Sequence, residues 1–163
     1  MKQLIVVLSL LVSNNLFSQG QEKSSIQWIN IEKAEELTER YSNNMLVFFF
    51  RKGCPDCNRM KTETLRDPKI IKLINENFFP VILDARSKDT INFNGKEYIN
   101  QQPIDHGRTF RHDLYHELVV GGNNQYVYPY IVIVDRKHKP IRYLPGYLPT
   151  VRLERSLIKL LNK

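Results

Sequence analysis

The chain has 163 residues and a formal net charge of +7, with 42% hydrophobic and 25% charged residues. That length suits one domain, and that apolar share supports an ordinary core, which excludes a disordered chain. The charges are scattered rather than blocked and no nucleic-acid motif is present. The basic excess therefore reads as a solvated surface, with a loose affinity for anionic surfaces as the alternative.

In chain order, Met1-Lys2 is a short positive start, Leu4 to Val12 is apolar, and Ser13 to Gln21 is polar. This layout predicts a secretory signal peptide over 1–20, cleaved after Gly20, followed by a domain over 21–163. The apolar run is well short of the roughly 20 residues that span a bilayer. An uncleaved anchor is the alternative; a lipid anchor is disfavoured, because no cysteine follows the run. Export implies a periplasmic or extracellular location.

Ile26, Trp28 and Ile29 suggest a short first strand. Ile31, Ala34, Leu37 and Tyr41 recur at helical spacing, with Asn30 as the cap. Met45 to Phe50 is an unbroken apolar run of strand length, the pattern of a strand buried on both faces. The cysteine segment follows, then a helix over 58–66. Asp67-Pro68 starts another helix with Ile70, Ile71, Ile74 and Phe78 on its apolar face. Pro80 to Asp84 is a second buried strand. This βαβαβ order predicts a parallel sheet covered by helices.

Residues 85–127 break the rhythm and read as an insertion on the sheet, boundaries about 86–127. Asn94-Gly95 marks a turn. His112 to Val120 reads as a short helix ended by Gly121-Gly122, with His112 and His116 on a solvated face. Pro129 to Asp135 is a strand, and Ile141 to Leu144 returns beside it as a hairpin. Thr150 is the expected cap of a last helix that buries Val151, Leu153, Leu157, Leu160 and Leu161.

Both cysteines lie in RKGCPDCNRM, residues 51–60. A Cys54–Cys57 bond closes too short a loop to stabilise the fold much. A structural zinc site needs about four ligands, and His112 and His116 lie far downstream with no matching pattern. Redox chemistry remains. Cys54 falls at a strand-to-helix junction, where unpaired N–H groups and the helix dipole favour a thiolate. Arg51 and Lys52 add positive charge, while Asp56 opposes it. Pro55 suits the first helical turn, since its missing N–H is no loss there. Cys57, one turn on, can attack a mixed disulfide at Cys54.

At MLVFFFRKGCPDCNRMKTETLRDPKIIKLINENFFPVILD, YVYPYIVIVD and KPIRYLPGY the chain resembles the thioredoxin superfamily. More narrowly, it resembles exported thioredoxin-like proteins related to the C-terminal domain of the DsbD-type membrane reductase. The resemblance implies a thioredoxin-like α/β fold: a central mixed sheet, helices on both faces, and the insertion before a cis-proline strand. It makes Cys54 the nucleophile and Cys57 the resolving thiol. Pro129, after Tyr128, becomes the cis-proline, with Tyr128, Pro129 and Gly53 contacting substrate and Pro55 and Asp56 on the active-site helix. An ordinary trans proline is the alternative for Pro129. The partners implied are protein thiols or disulfides and a membrane thiol reductase as electron donor. No cofactor, metal or nucleic acid is expected, and the sequence does not bear on oligomeric state.

Two positions depart from the thioredoxin pattern. Gly53 stands where thioredoxins have Trp, which removes an apolar wall. Phe48 stands where they bury an Asp, which leaves the Cys57 proton to water or to Glu63. The rival to a redox enzyme is a binding or chaperone-like module using the aromatic segment Tyr115 to Tyr130, with Gly121-Gly122 letting that loop move.

Overall fold

The computed structural model describes residues 24–103, 110–122 and 126–162. The predicted signal peptide over 1–20 lies outside the described residues. Among these residues no helix is long and apolar enough to cross a membrane.

Two apolar runs organise the fold. β1 (Asn44–Phe50) and β5 (Tyr130–Val134) are buried along nearly their whole length. They pair antiparallel at the centre of a four-stranded sheet of order β2-β1-β5-β6. β2 (Phe78–Asp84) runs parallel to β1, and β6 (Pro140–Pro145) antiparallel to β5. Because strand side chains alternate between faces, each run feeds two cores. Met45, Val47 and Phe49 join Tyr130, Val132 and Val134 on one face. Leu46 and Phe48 join Ile131 and Ile133 on the other.

α1 (Ile31–Arg40) covers the first face with Ile31 and Ala34. Asn30 caps it, its side chain accepting from the Lys33 N–H at 2.8 Å, as the sequence suggested. The second face is covered by α2 (Pro55–Thr62), a 3-10 turn (Thr64–Arg66), α3 (Pro68–Asn77) and α5 (Thr150–Leu161). Asp67 caps α3 by accepting from the Lys69 N–H.

The described parts of 85–127 pack on the α1 face. A small hairpin, β3 (Ile91–Phe93) and β4 (Lys96–Tyr98), turns at Asn94-Gly95. Both turn residues have positive φ (52° and 67°), which suits Asn-Gly. α4 (Asp113–Val119) buries Leu114, Tyr115, Leu118 and Val119.

Several expectations need correction. The strand expected before α1 is one bridge, Ile29 to Val81, because the Gln27 N–H is taken by the Asn75 side chain. The helix expected over 58–66 starts at Pro55 and breaks at Thr62. Phe78 begins β2 instead of extending α3. Pro149, not Thr150, caps α5; its carbonyl accepts from Arg152 and Leu153. α5 buries Leu153 and Leu157, while Val151 and Leu161 lie off that stripe in solvent and Leu160 is half-buried.

His112 is not on a solvated face; it is buried and caps α4. Its Nδ1 accepts from the Leu114 N–H, so Nε2 carries the proton and donates to the Asp89 carbonyl at 2.9 Å. His116 stacks on Tyr126 and hydrogen-bonds its hydroxyl. Gly121 and Gly122 are closely packed by two tyrosines. A Cβ on Gly121 would collide with the Tyr143 hydroxyl, and one on Gly122 with the Tyr130 hydroxyl. Tyr130 is fully buried and cannot step aside. Gly122→Ala is therefore expected to lower stability by about 1–3 kcal/mol, the usual range for overpacking. The check is the urea midpoint at unchanged slope; an unshifted midpoint would show that the two tyrosines give way freely.

Candidate active site

β1 ends at Phe50 and the chain turns through Arg51, Lys52 and Gly53 into α2. Gly53 has φ +70°, a left-handed conformation that side chains resist. The residue before the first cysteine is thus glycine for a backbone reason: a Trp there would need a different turn. Cys54 follows in extended geometry as the N-cap of α2, with Pro55 at the first helical position. Its Sγ accepts a hydrogen bond from the Cys57 N–H at 3.1 Å. Cys54 and Cys57 are joined as a disulfide, with Cα atoms 5.2 Å apart. Both are buried, Cys57 the more completely (2% exposed against 7%).

The Tyr128-Pro129 bond is cis. Pro129 is buried, and its carbonyl accepts from the Gly146 N–H at 2.8 Å, which fixes the start of β5 against the chain leaving β6. Tyr128 and Pro129 reach the cysteines through sheet register. Phe49 pairs with Tyr130, so the residue before β5 meets the segment just after β1.

Two open grooves meet at Cys54. One, about 590 Å³, is walled by Arg51, Cys54, Asp56, Tyr128 and Gly146. The other, about 450 Å³, has Gly53, Cys57, Asn58 and Lys61 along it. Of the residues singled out from sequence, Cys54, Pro55, Asp56 and Tyr128 share the first groove, and Gly53 and Cys57 line the second. Pro129 stands behind Tyr128 as backbone support.

Aromatic packing holds Tyr128. Its ring stacks on Tyr115 at 5.1 Å, and Arg51 lies over it at 5.9 Å. Tyr115 is fully buried and donates to the Val127 carbonyl at 2.8 Å. Burial raises the pKa of both phenols; around Tyr128, Arg111, Arg86 and Arg51 oppose the shift. The aromatic segment is largely built into the core, with Val127 the exposed residue beside the groove.

Phe48, where thioredoxins carry an acid, is fully buried and stacks against Trp28 and Phe50. Glu63, the alternative base considered from sequence, is engaged elsewhere. It accepts from Tyr147 at 2.8 Å and pairs with Arg59 at 3.1 Å, and these contacts lower its pKa. Sequence reasoning missed Lys61. Its ammonium sits 3.1 Å from the centre of the Phe50 ring, and burial lowers its pKa against the pull of Asp84. The signal was available: Lys61 lies one helical turn beyond Cys57, on the same side of α2.

A model of the family described as "Thioredoxin-like domain" matches residues 31–161. An "Uncharacterized protein" from Archaeoglobus fulgidus is 30% identical over 87 residues, 53% of this chain and 67% of that protein. Among solved structures, the chain resembles a DsbH oxidoreductase (19% identity, 90% and 94% of the two chains, TM-score 0.56). It also resembles a thioredoxin from Thermus thermophilus (18%, 84% and 88%, TM-score 0.57). The oxidised C-terminal domain of DsbD from Neisseria meningitidis has the same fold (12%, 78% and 90%, TM-score 0.50). At such identities these structures speak for the fold. With the family model spanning α1 through α5, the chain belongs to the thioredoxin-like family and carries its CxxC pair at the N-terminus of α2.

Proposed function

We propose that this protein is an exported thiol–disulfide oxidoreductase that reduces protein disulfides. The observation that carries the reading is Cys54 itself. It caps a helix, receives the Cys57 N–H on its sulfur, and lies where two open grooves meet.

In the reduced protein, the helix N-terminus and the Cys57 N–H favour a Cys54 thiolate over a thiol. That thiolate attacks one sulfur of a substrate disulfide. The substrate S–S bond breaks, one substrate thiolate leaves, and a mixed disulfide forms at Cys54. Cys57, more deeply buried, is shielded from substrate and positioned for the second step. Its thiolate attacks the Cys54 sulfur and releases the second substrate thiol. The substrate gains two electrons and the protein ends as the Cys54–Cys57 disulfide. A dithiol donor must then reverse that bond. A membrane thiol reductase is the donor class proposed here, and the reducing direction rests on likeness to the DsbD-type domain.

Substrate would lie along the first groove as an extended segment, against Tyr128 and the backbone before Pro129. The signal-peptide layout of residues 1–20 is what supports export. The binding-module reading loses part of its aromatic surface, because Tyr115 and Tyr130 are fully buried, while Tyr126 and Tyr128 line the first groove.

No acid faces Cys57 from Phe48, and Glu63 is tied to Arg59 and Tyr147. The charged side chains on the groove that Cys57 shares with Cys54 are the cations Arg51, Lys52 and Lys61. A cation there lowers thiol pKa values by stabilising thiolate; it does not accept the Cys57 proton. Water entering the second groove takes that proton.

Cys54→Ser is expected to abolish reduction of insulin disulfides. Cys57→Ser should trap a mixed disulfide on Cys54, visible by intact mass. Turnover surviving in Cys54→Ser would sink the redox reading. The Cys54–Cys57 potential against glutathione sets direction: a value towards about −270 mV fits a reductant, and one near about −120 mV an oxidant. Lys61→Met should raise the pH midpoint of Cys54 alkylation by about half a unit, because removing the cation disfavours the thiolate. Glu63→Gln should leave that midpoint and the turnover rate unchanged. The opposite pattern, with Glu63→Gln slow and Lys61→Met normal, would return the base role to Glu63.

A further inference from the structure

At the far end of the sheet from Cys54, three side chains from two elements converge. Glu35 and Glu39 stand one turn apart on α1, and His138 sits in the turn between β5 and β6. Their ligand-type atoms all lie within 4.8 Å of one another. The His138 ring is nine-tenths buried, with a side chain 10% exposed, and its buried Nε2 makes no hydrogen bond. Yet Glu35 Oε1 is 3.2 Å from that nitrogen and Glu39 Oε1 is 3.7 Å from it.

These separations are also those of two ligand atoms around one ion. Zinc binds nitrogen and carboxylate oxygen at about 2.0–2.2 Å, so two ligand atoms at the tetrahedral angle stand about 3.4 Å apart.

The surroundings hold the three groups in place. Glu35 Oε1 accepts the Asn94 N–H at 2.6 Å, from the β3–β4 turn. The Phe93 ring packs edge-on against His138 at 5.4 Å. The His138 turn is held by Asp135, whose Oδ1 accepts from the Lys137 and Lys139 N–H groups. His138 itself takes a positive φ of 57°, which directs the turn back over α1. Supporting contacts of this kind orient ligands in metal sites. The cations of α1 are spent elsewhere: Lys33 and Arg40 both pair with Glu36. Two carboxylates and one imidazole nitrogen make a donor set that a divalent cation would suit.

We propose that Glu35, Glu39 and His138 form a binding site for a divalent transition cation, best matched by zinc. Nitrogen and oxygen donors without thiolate suit that borderline ion, and three protein ligands leave its fourth position to water. The site is about 20 Å along the sheet from the cysteines, taking β1 at roughly 3.3 Å per residue. It would therefore clamp α1 to the β5–β6 turn and leave the redox centre alone.

The test uses the untagged full chain with its cysteines oxidised, so that free thiols do not take the metal. Calorimetric titration with Zn²⁺ alone should give one ion per chain. His138→Gln should weaken it at least about tenfold. Glu39 is 60% exposed, so Glu39→Gln should fold normally and weaken binding by a similar factor. Cobalt(II) in its place should give the visible absorption of a tetrahedral site, lost in both variants. Absence of stoichiometric binding, or zinc held equally well by Glu39→Gln and His138→Gln, would overturn the proposal. Either result would leave the cluster as an ion pair only, and neither would touch the redox reading, which has its own cysteine variants.

Discussion

The pairing of β1 with β5 governs most of what this protein can do. Phe49 lies opposite Tyr130, and that one register places the end of β1 against the start of β5. Cys54 follows the first and Pro129 precedes the second, so the disulfide and the cis-proline segment are positioned together. Slipping the pair by one residue would turn every side chain to the opposite face. Both faces are fully packed here, so the slip would disrupt two cores at once.

Burial on both faces also explains the chemistry that β1 can hold. A carboxylate at position 48 would be desolvated among Trp28, Phe50 and Met60, and its pKa would rise. Some family members tolerate that penalty in exchange for a proton acceptor. Here Phe48 completes an aromatic row instead, and the Lys61 ammonium above Phe50 joins Arg51 and Lys52 on a groove beside the cysteines. A cation favours the thiolate states; a buried acid relays a proton. The two designs would divide the same step differently.

The parts legible in the sequence were those set by local pattern. The continuous run Met45 to Phe50 announced a strand with two buried faces. Asn30, Asn94-Gly95 and Cys54-Pro55 announced a cap, a hairpin turn and a helix start, because each depends on the backbone needs of a few neighbours. What stayed hidden depended on residues far away in the chain. Ile29 forms one bridge because Asn75 captures the Gln27 N–H. His112 is buried because the Asp89 carbonyl meets its ring. Gly121 and Gly122 read as flexible, yet they are small because two tyrosines from β5 and β6 press on them. Val151 and Leu161 are apolar but lie off the stripe that α5 turns inward. Gly53 was legible as a missing Trp and not as a left-handed turn, since a φ value leaves no periodic trace.

The same register separates the molecule into two ends with different demands. At the Cys54 end the strands stop beside two open grooves that meet at the cysteines. At the other end β5 runs into the His138 turn, which folds back on α1 with the β3–β4 hairpin packed alongside. A reagent disulfide contributes little to stability, because its loop is short and it must open in every cycle. A redox domain that cannot rely on its own cysteines for rigidity has to tie its elements together somewhere else. Glu35, Asn94 and His138 join the helix, the hairpin and the last turn of the sheet at the pole where tightening would not obstruct the thiol chemistry.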